Sequence, residues 1–407
     1  MSCSLTKCQY FSTLIKQTPV QLLITVLIAV FCAPHFSMTT LTTFFTISTL
    51  LKSVLMLFLP FIIFFYLSYA VTTFQKLAPL LVMATITLIF ISNATVLMAV
   101  YAIANTFMDF LCVPLVCDFT IKHSLISPKF TLPFSQIIPT EWGLILAFLV
   151  GIFCNFSPQE KVKRKILSFI LNGREKSTYL LRQIFVPLLP LYIFGFVLKL
   201  VFDGDFELLI QNYSKIFMFC ILLIITYLFS FYLIANLFCI KRTLSTIKNM
   251  LPAGLTGFST MSSAATMPLT IEATDKNIKE IDPQSNFAQY IVPVSTNIHL
   301  IGDGLSIALT ALALLYMSGN PLPSFTTYLV FTFWYCAAKF STAGVPGAGV
   351  IIILPVMQKY LHLTPEMMSI LTTIYILKDP ILTGTNVMGN GAFALLMHRI
   401  FKNFKLI

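Results

Sequence analysis

The chain has 407 residues, 57% hydrophobic and 10% charged, with a mean hydropathy of +0.88; soluble globular chains carry roughly 25% charged residues, so an ordinary soluble protein is excluded. The net charge of +11 does not indicate nucleic acid, because the basic residues gather in particular loops rather than with exposed aromatics on a soluble domain. Nine cysteines without a Cys-x-x-Cys pair give no support to a zinc or redox motif; most read as packing residues, and Cys112 and Cys117 share a predicted outside loop where they could pair.

Apolar stretches of about 20 residues each suffice to cross a hydrocarbon core of roughly 30 Å. They predict spans near 19–36, 47–73, 77–104, 142–156, 179–202, 214–240, 288–316 and 366–398. The first follows Lys7 and Lys16 without a small-residue cleavage site and reads as a retained helix rather than a signal peptide. Residues 105–141, with Asp109, Asp118, Lys122, Lys129 and several prolines, read as a long outside excursion. Lys161, Lys163, Arg164, Lys165, Arg174 and Lys176 crowd one connection, Lys241, Arg242 and Lys248 another, and Arg399, Lys402 and Lys405 the C-terminus. The positive-inside rule makes these cytoplasmic. Asp203, Asp205 and Glu207 then fall in an outside loop, and eight spans with both termini inside satisfy the alternation.

Two further segments are apolar yet broken. LPAGLTGFSTMSSAATMPLTIEA, residues 251–273, carries Gly254, Gly257, a Ser/Thr run and Pro268; KFSTAGVPGAGVIIILPVM, residues 339–357, repeats the pattern of a small-residue tip and an apolar return. Unpaired backbone groups in lipid cost several kcal/mol each, so such stretches persist at membrane depth only when shielded by protein or lining a watery cavity. Accidental loop composition, or close packing through small residues, is less economical for two such segments flanking one span. The expected architecture is an all-α polytopic membrane protein of eight transmembrane helices plus two re-entrant hairpins, 243–275 and 325–360. Transporters built on inverted repeats place substrate between such discontinuous helices, whose free N–H groups and positive dipole ends suit an anionic group.

Polar residues inside the last two spans need a reason, since a charge at the bilayer centre costs at least roughly 2.5–3.5 kcal/mol. PVSTNIHLIGDG, residues 293–304, has an unwound look and carries His299 and Asp303; LKDPILTGTNVMGNG, residues 377–391, carries Lys378, Asp379, Thr383, Asn386 and Asn390. Asp379, Thr383 and Asn386 step by four and three and share one helical face.

These residues resemble the glutamate-transporter family, the dicarboxylate/amino acid:cation symporters. SSAATMP at 262–268 is similar to that family's first-hairpin motif, STAGVPGAG at 341–349 to its second-hairpin tip, and LMLFLPFIIF at 55–64 to its second span. The resemblance covers nearly the whole chain. It implies inverted repeats and a homotrimer, with a scaffold from spans within 19–73 and 142–202. It also implies an elevator-type transport domain from 77–104 and 214–398, gated by the second hairpin's tip. Family substrate contacts carry over to Ser262, Ser263, Val345, Gly349, Asp379, Thr383 and Asn386, the aspartate receiving an amino group and the hairpin and Asn/Thr groups a carboxylate. Cation-coupling candidates are Ser92, Asn93, Ser295, Asn297, His299, Thr342 and Asn390.

The chain also departs from the family. The Asn-Met-Asp-Gly-Thr motif of the seventh span is absent: an ungapped register from Pro293 puts His299 to Asp303 there, and a two-residue shift instead aligns Asp303-Gly304 with the family's Asp-Gly. Asn390 stands where a sodium-binding aspartate is usual, and Lys339 sits beside second-hairpin backbone that helps hold sodium in relatives. Sodium wants hard oxygen ligands and compensating charge, so the coupling ion is open between sodium and a proton, with His299 able to carry the latter; a core histidine bonded to Ser295 or a carbonyl is the plainer reading. Lys378 and Asp379 read equally as a local charge pair. Leu382 and Met261 occupy the two positions where carriers of acidic amino acids place an arginine, and in the ungapped register Asp303 repels a second carboxylate. A neutral amino acid is therefore favoured over glutamate or a dicarboxylate.

A membrane enzyme has no support, since Gly-x-Ser-x-Gly and His-Glu-x-x-His are absent. No cofactor or metal is expected beyond possible sodium. Competing readings are a passive anion channel or exchanger and a non-transporting paralogue. The expected setting is a bacterial inner membrane.

Overall fold

A computed structural model describes residues 18–73, 79–111, 126–130, 140–157, 159–342 and 347–404; Val345, Cys112 and Cys117 lie outside them. Regular structure among the described residues is entirely helical. Helix α1 (Thr18–Cys32) ends in a 3-10 turn, Ala33–His35, and Ser37 caps the next helix by accepting from the Thr40 N–H at 3.3 Å. Helix α2 (Met38–Thr73) is 36 residues long with Pro60 inside it, and α3 spans Pro79–Leu111. Next come α4 (Thr140–Phe156), α5 (Glu160–Tyr179) and α6 (Val186–Phe202), the last two joined by a π-helical stretch, Leu180–Phe185. Helix α7 (Asp205–Ala235) follows a left-handed Gly204 at φ 78°.

Three expectations change here. The basic connection at 161–176 is a regular amphipathic helix, α5, because Ile170, Gly173 and Ser177 supply a buried stripe along one side of a charged sequence. Its Arg174 guanidinium lies 3.9 Å from the Tyr69 ring centroid, and Thr178 shares a 2.7 Å hydrogen bond with the Tyr66 hydroxyl, fixing the helix to α2. Asp205 and Glu207, read as loop, belong to the first turn of α7. Likewise α3 continues helically to Leu111, into the segment read as an excursion.

The C-terminal half holds the broken segments. Helices α8 (Ile240–Thr260) and α9 (Ser263–Lys279) form a hairpin whose tip is Met261, left-handed at φ 50°, and Ser262, whose hydroxyl accepts from the Ala265 N–H at 3.3 Å. Side-chain amides tie its arms together: Asn277 donates to the Thr246 carbonyl at 3.1 Å and Asn249 to Asn277 at 2.8 Å. Helices α10 (Phe287–Ser295) and α11 (Ile301–Met317) are separated by the break at 296–300. Helix α12 (Phe325–Lys339) leads to the second tip, which returns through α13 (Ala348–Ile351) and α14 (Leu354–Tyr360). Helix α15 (Pro365–Asn403) runs 39 residues through Pro380. At its end Lys402 donates to Asp282 at 2.9 Å, and this ammonium holds the Asp282 carboxyl below the usual carboxylate range.

Packing falls mainly within two groups, α1, α2 and α4–α6 in one, and α3 and α7–α15 in the other. Polar bonds between helices support both: Ser48 to the Leu191 carbonyl at 3.2 Å and Ser68 to Ala147 at 3.3 Å in the first, Tyr232 to Met388 at 2.7 Å and Tyr328 to Leu97 at 3.1 Å in the second. By length and hydropathy alone, Met83–Leu111 and Tyr213–Ala235 qualify among the described residues as continuous membrane spans. A pair bent by 50°, Glu160–Phe185 with Pro190–Phe202, would make a third. The apolar exterior, including exposed Phe31, Leu149, Met218, Leu222 and Ile225, belongs to an integral membrane protein.

Candidate functional site

The breaks converge on one open-sided cleft with about 360 Å³ of space free of protein atoms, solvent outside its mouth included. It is lined by Met261 and Ser263 of the first hairpin, Thr296, Asn297, Leu300 and Asp303 of the α10–α11 break, Thr342 and Gly349 of the second hairpin, and Tyr375, Asp379, Thr383 and Asn386 of α15. Tyr375, Asp379, Thr383 and Asn386 follow 3.6-residue periodicity, so one face of α15 supplies four polar groups. Tyr375, one turn before Asp379, was legible from that spacing but missed by the sequence reading.

Asp379 is 5% exposed and accepts two bonds, from the Gly347 N–H at 3.0 Å and the Thr383 hydroxyl at 3.2 Å. Lys378 is not its partner: this ammonium points away, to the Thr310 hydroxyl at 3.2 Å, with the Tyr213 ring centroid 5.4 Å off. The local charge pair is thereby corrected, because consecutive residues on a helix project about 100° apart.

Asp303, 2% exposed, is the most heavily bonded carboxylate. Its Oδ2 accepts from Lys339 at 2.6 Å and from the Tyr375 hydroxyl at 3.2 Å, and its Oδ1 from Asn386 at 3.0 Å. Asn386 in turn accepts from the Gly302 N–H at 2.8 Å. Asp303 is therefore a compensated charge rather than the free repulsive one expected. The side chain of Leu382 also departs from expectation. It is fully buried and does not line the cleft, and the Leu382 carbonyl instead sits against Gly302, leaving 2.8 Å to any Cβ added there. We predict that Gly302→Ala forces α11 and α15 apart, lowering the unfolding temperature by several degrees at about 1–3 kcal/mol for overpacking; scanning fluorimetry of the purified chain checks it.

Ser262 serves as N-cap, and Ser263 beside it reaches the cleft. Of the cation-coupling candidates, Asn297 and Thr342 line the cleft, and each carries a buried oxygen without a hydrogen bond among the described residues. The others lie behind it. Asn93 bonds the break directly, donating to the Ile298 carbonyl at 2.8 Å and accepting from the Leu300 N–H at 3.3 Å. Ser92 lies 2.9 Å from His299 Nε2, and the imidazole stacks on Phe393 at 4.3 Å between centroids. The Ser295 hydroxyl donates to its own helix, to the Val292 carbonyl at 3.3 Å, while the Ser295 carbonyl accepts from the His299 backbone N–H at 2.8 Å rather than from the imidazole. Asn390 neighbours the imidazole, yet its amide and His299 Nδ1 make no hydrogen bond of good geometry among the described residues.

Broken helices meeting at buried polar groups inside an all-helical membrane protein form the architecture of secondary transporters. The chain belongs to the sodium:dicarboxylate symporter family, whose model matches residues 18–400, a family of transporters and not of enzymes. It is 27% identical over 157 residues to excitatory amino acid transporter 1 of Ambystoma tigrinum, a match covering 39% of this chain and 28% of that protein. To excitatory amino acid transporter 2 of Homo sapiens it is 26% identical over 163 residues, 40% of this chain and 28% of that one. The matched region thus spans under a third of these relatives' length.

Proposed function

We propose that this chain is an ion-coupled secondary transporter of a small amino acid, a neutral one in preference to glutamate or a dicarboxylate. The observation that carries this is the pairing, across one cleft, of the buried Asp379 carboxylate with the polar tips of two broken hairpins. A zwitterion presents an amine to Asp379 and a carboxylate to the hairpin tips, where Ser263 supplies a donor, with Thr383 and Asn386 of α15 beside it. Among the described residues the lining includes no arginine or lysine for a second carboxylate.

The two packing groups support a division into scaffold and moving transport domain, with eight spans, two re-entrant hairpins, inverted repeats and elevator motion as in the family resemblance. A homotrimer with both termini on the cytoplasmic side of a bacterial inner membrane completes the reading. The coupling ion is sodium or a proton. The region behind the cleft offers neutral amides, hydroxyls and the His299 imidazole, a set that suits a proton on His299 as well as sodium on oxygen. Val345, by its motif position, completes the substrate set.

Proteoliposomes holding the purified chain test this with radiolabelled neutral amino acids, glutamate and dicarboxylates under separate sodium and proton gradients. Concentrative uptake of a neutral amino acid under one gradient is expected. Glutamate uptake with strict sodium dependence refutes the selectivity; flux without accumulation supports the channel, and no binding of any amino acid the non-transporting paralogue.

A further inference from the structure

Lys339 ends α12 at the approach to the second tip and is only 1% exposed. An isolated buried ammonium is prohibitively costly and persists only with paired charge and hydrogen bonds. This one has both: Asp303 Oδ2 at 2.6 Å, the Gly349 carbonyl at 2.9 Å, and the Tyr335 ring with its centroid 5.4 Å away. A carboxylate oxygen and a carbonyl oxygen converging on one point are the ligands a hard monovalent cation takes. Gly349 permits this close approach of its backbone, since a Cβ there would overlap the Tyr375 hydroxyl and Asp303 Oδ2. The geometry also ties both arms of the second hairpin to α11 and α15. Lys339 on the outgoing arm grips Gly349 on the returning arm and Asp303 on α11, while Gly347, two residues before Gly349, is held by Asp379 on α15.

We propose that the Lys339 ammonium is a tethered cation occupying a latent monovalent-cation site formed by Asp303 and Gly349, so that the second hairpin is clasped to α11 without a dissolved ion there. Lys339 is then a positioning residue for the hairpin, and coupling to a dissolved ion must act elsewhere, for which the His299 region is placed. The inference takes its meaning from the transport reading, but its test reads cation binding and stands or falls without any transport.

The full chain, purified in detergent, is unfolded thermally in sodium, lithium and choline chloride at fixed ionic strength, as wild type, as Lys339→Ala and as Asp303→Ala/Lys339→Ala. Vacating the site in Lys339→Ala leaves the carboxylate and carbonyl to a small cation. That variant should gain a saturable stabilisation by sodium or lithium about 2–4 °C larger than wild type shows, the size of shift expected from modest ligand binding. The double variant, lacking the carboxylate, should lose the gain. If Lys339→Ala folds only when sodium or lithium is present throughout purification, the same conclusion follows. The proposal is overturned if Lys339→Ala responds to cations no more than wild type does, if the double variant keeps the response, or if Lys339→Ala is unfolded in every salt.

Discussion

Asp379→Asn is expected to abolish measurable uptake and to weaken amino-acid binding by a factor of tens to thousands. The substitution is nearly isosteric, and the asparagine oxygen can keep the bond from the Gly347 N–H. The Thr383 hydroxyl, which donates to Asp379 Oδ1 at 3.2 Å, can rotate to accept from the new amide. The cleft therefore keeps its shape and loses its charge. Removing one partner from a buried, hydrogen-bonded charge pair costs roughly 2–5 kcal/mol, at about 1.4 kcal/mol per tenfold in affinity. A titration of the purified variant with the preferred amino acid, read by thermal shift, measures this beside the unliganded unfolding temperature. Binding within a few-fold of wild type would show that Asp379 does not receive the amine. A collapse of unliganded stability would instead assign it to holding the second hairpin.

Gly349→Ala is expected to be the most damaging single-methyl addition in the cleft. The added Cβ overlaps two atoms at once, the Tyr375 hydroxyl and Asp303 Oδ2. Both are the ends of side chains, but neither is free to swing. The carboxylate is fixed by Lys339 and Asn386, and the tyrosine, 4% exposed, is bonded to that same carboxylate. Relief requires breaking the Lys339–Asp303 pair or lifting the returning arm of the hairpin. A broken buried pair costs about 3–5 kcal/mol because an uncompensated charge stays behind, so the unfolding temperature should fall by several degrees and uptake should be lost. Tyr375→Phe removes one of the two obstacles, and Gly349→Ala in that background should lose less stability than in wild type. A neutral Gly349→Ala, or two substitutions that add without coupling, would mean that the contact is not tight.

Much of this was legible in the residues because it is local. Composition and run length identify a membrane chain without reference to contacts. The tip at 261–263 is written in the Ser/Thr run, since a left-handed residue followed by a serine N-cap satisfies the start of α9 within four residues. The break at 296–300 and the polar face of α15 follow from glycine, proline and 3.6-residue spacing. Helix boundaries at the basic connection were not legible, because a charged amphipathic helix and a charged loop have similar composition until the buried side of α5 finds α2.

What the sequence by itself determined is the class of protein, the two broken segments and the position of the carboxylates. Only the tertiary structure decided which charges meet. Asp303 and Lys339 lie 36 residues apart and Ser92 and His299 lie 207 apart, separations over which residue spacing carries no orientation. Lys378 and Asp379 are neighbours in the chain, yet one points to α11 and the other to the turn at Gly347. Where lipid and protein replace water, a buried charge is tolerable only beside its complement, and that complement is set by how helices pack.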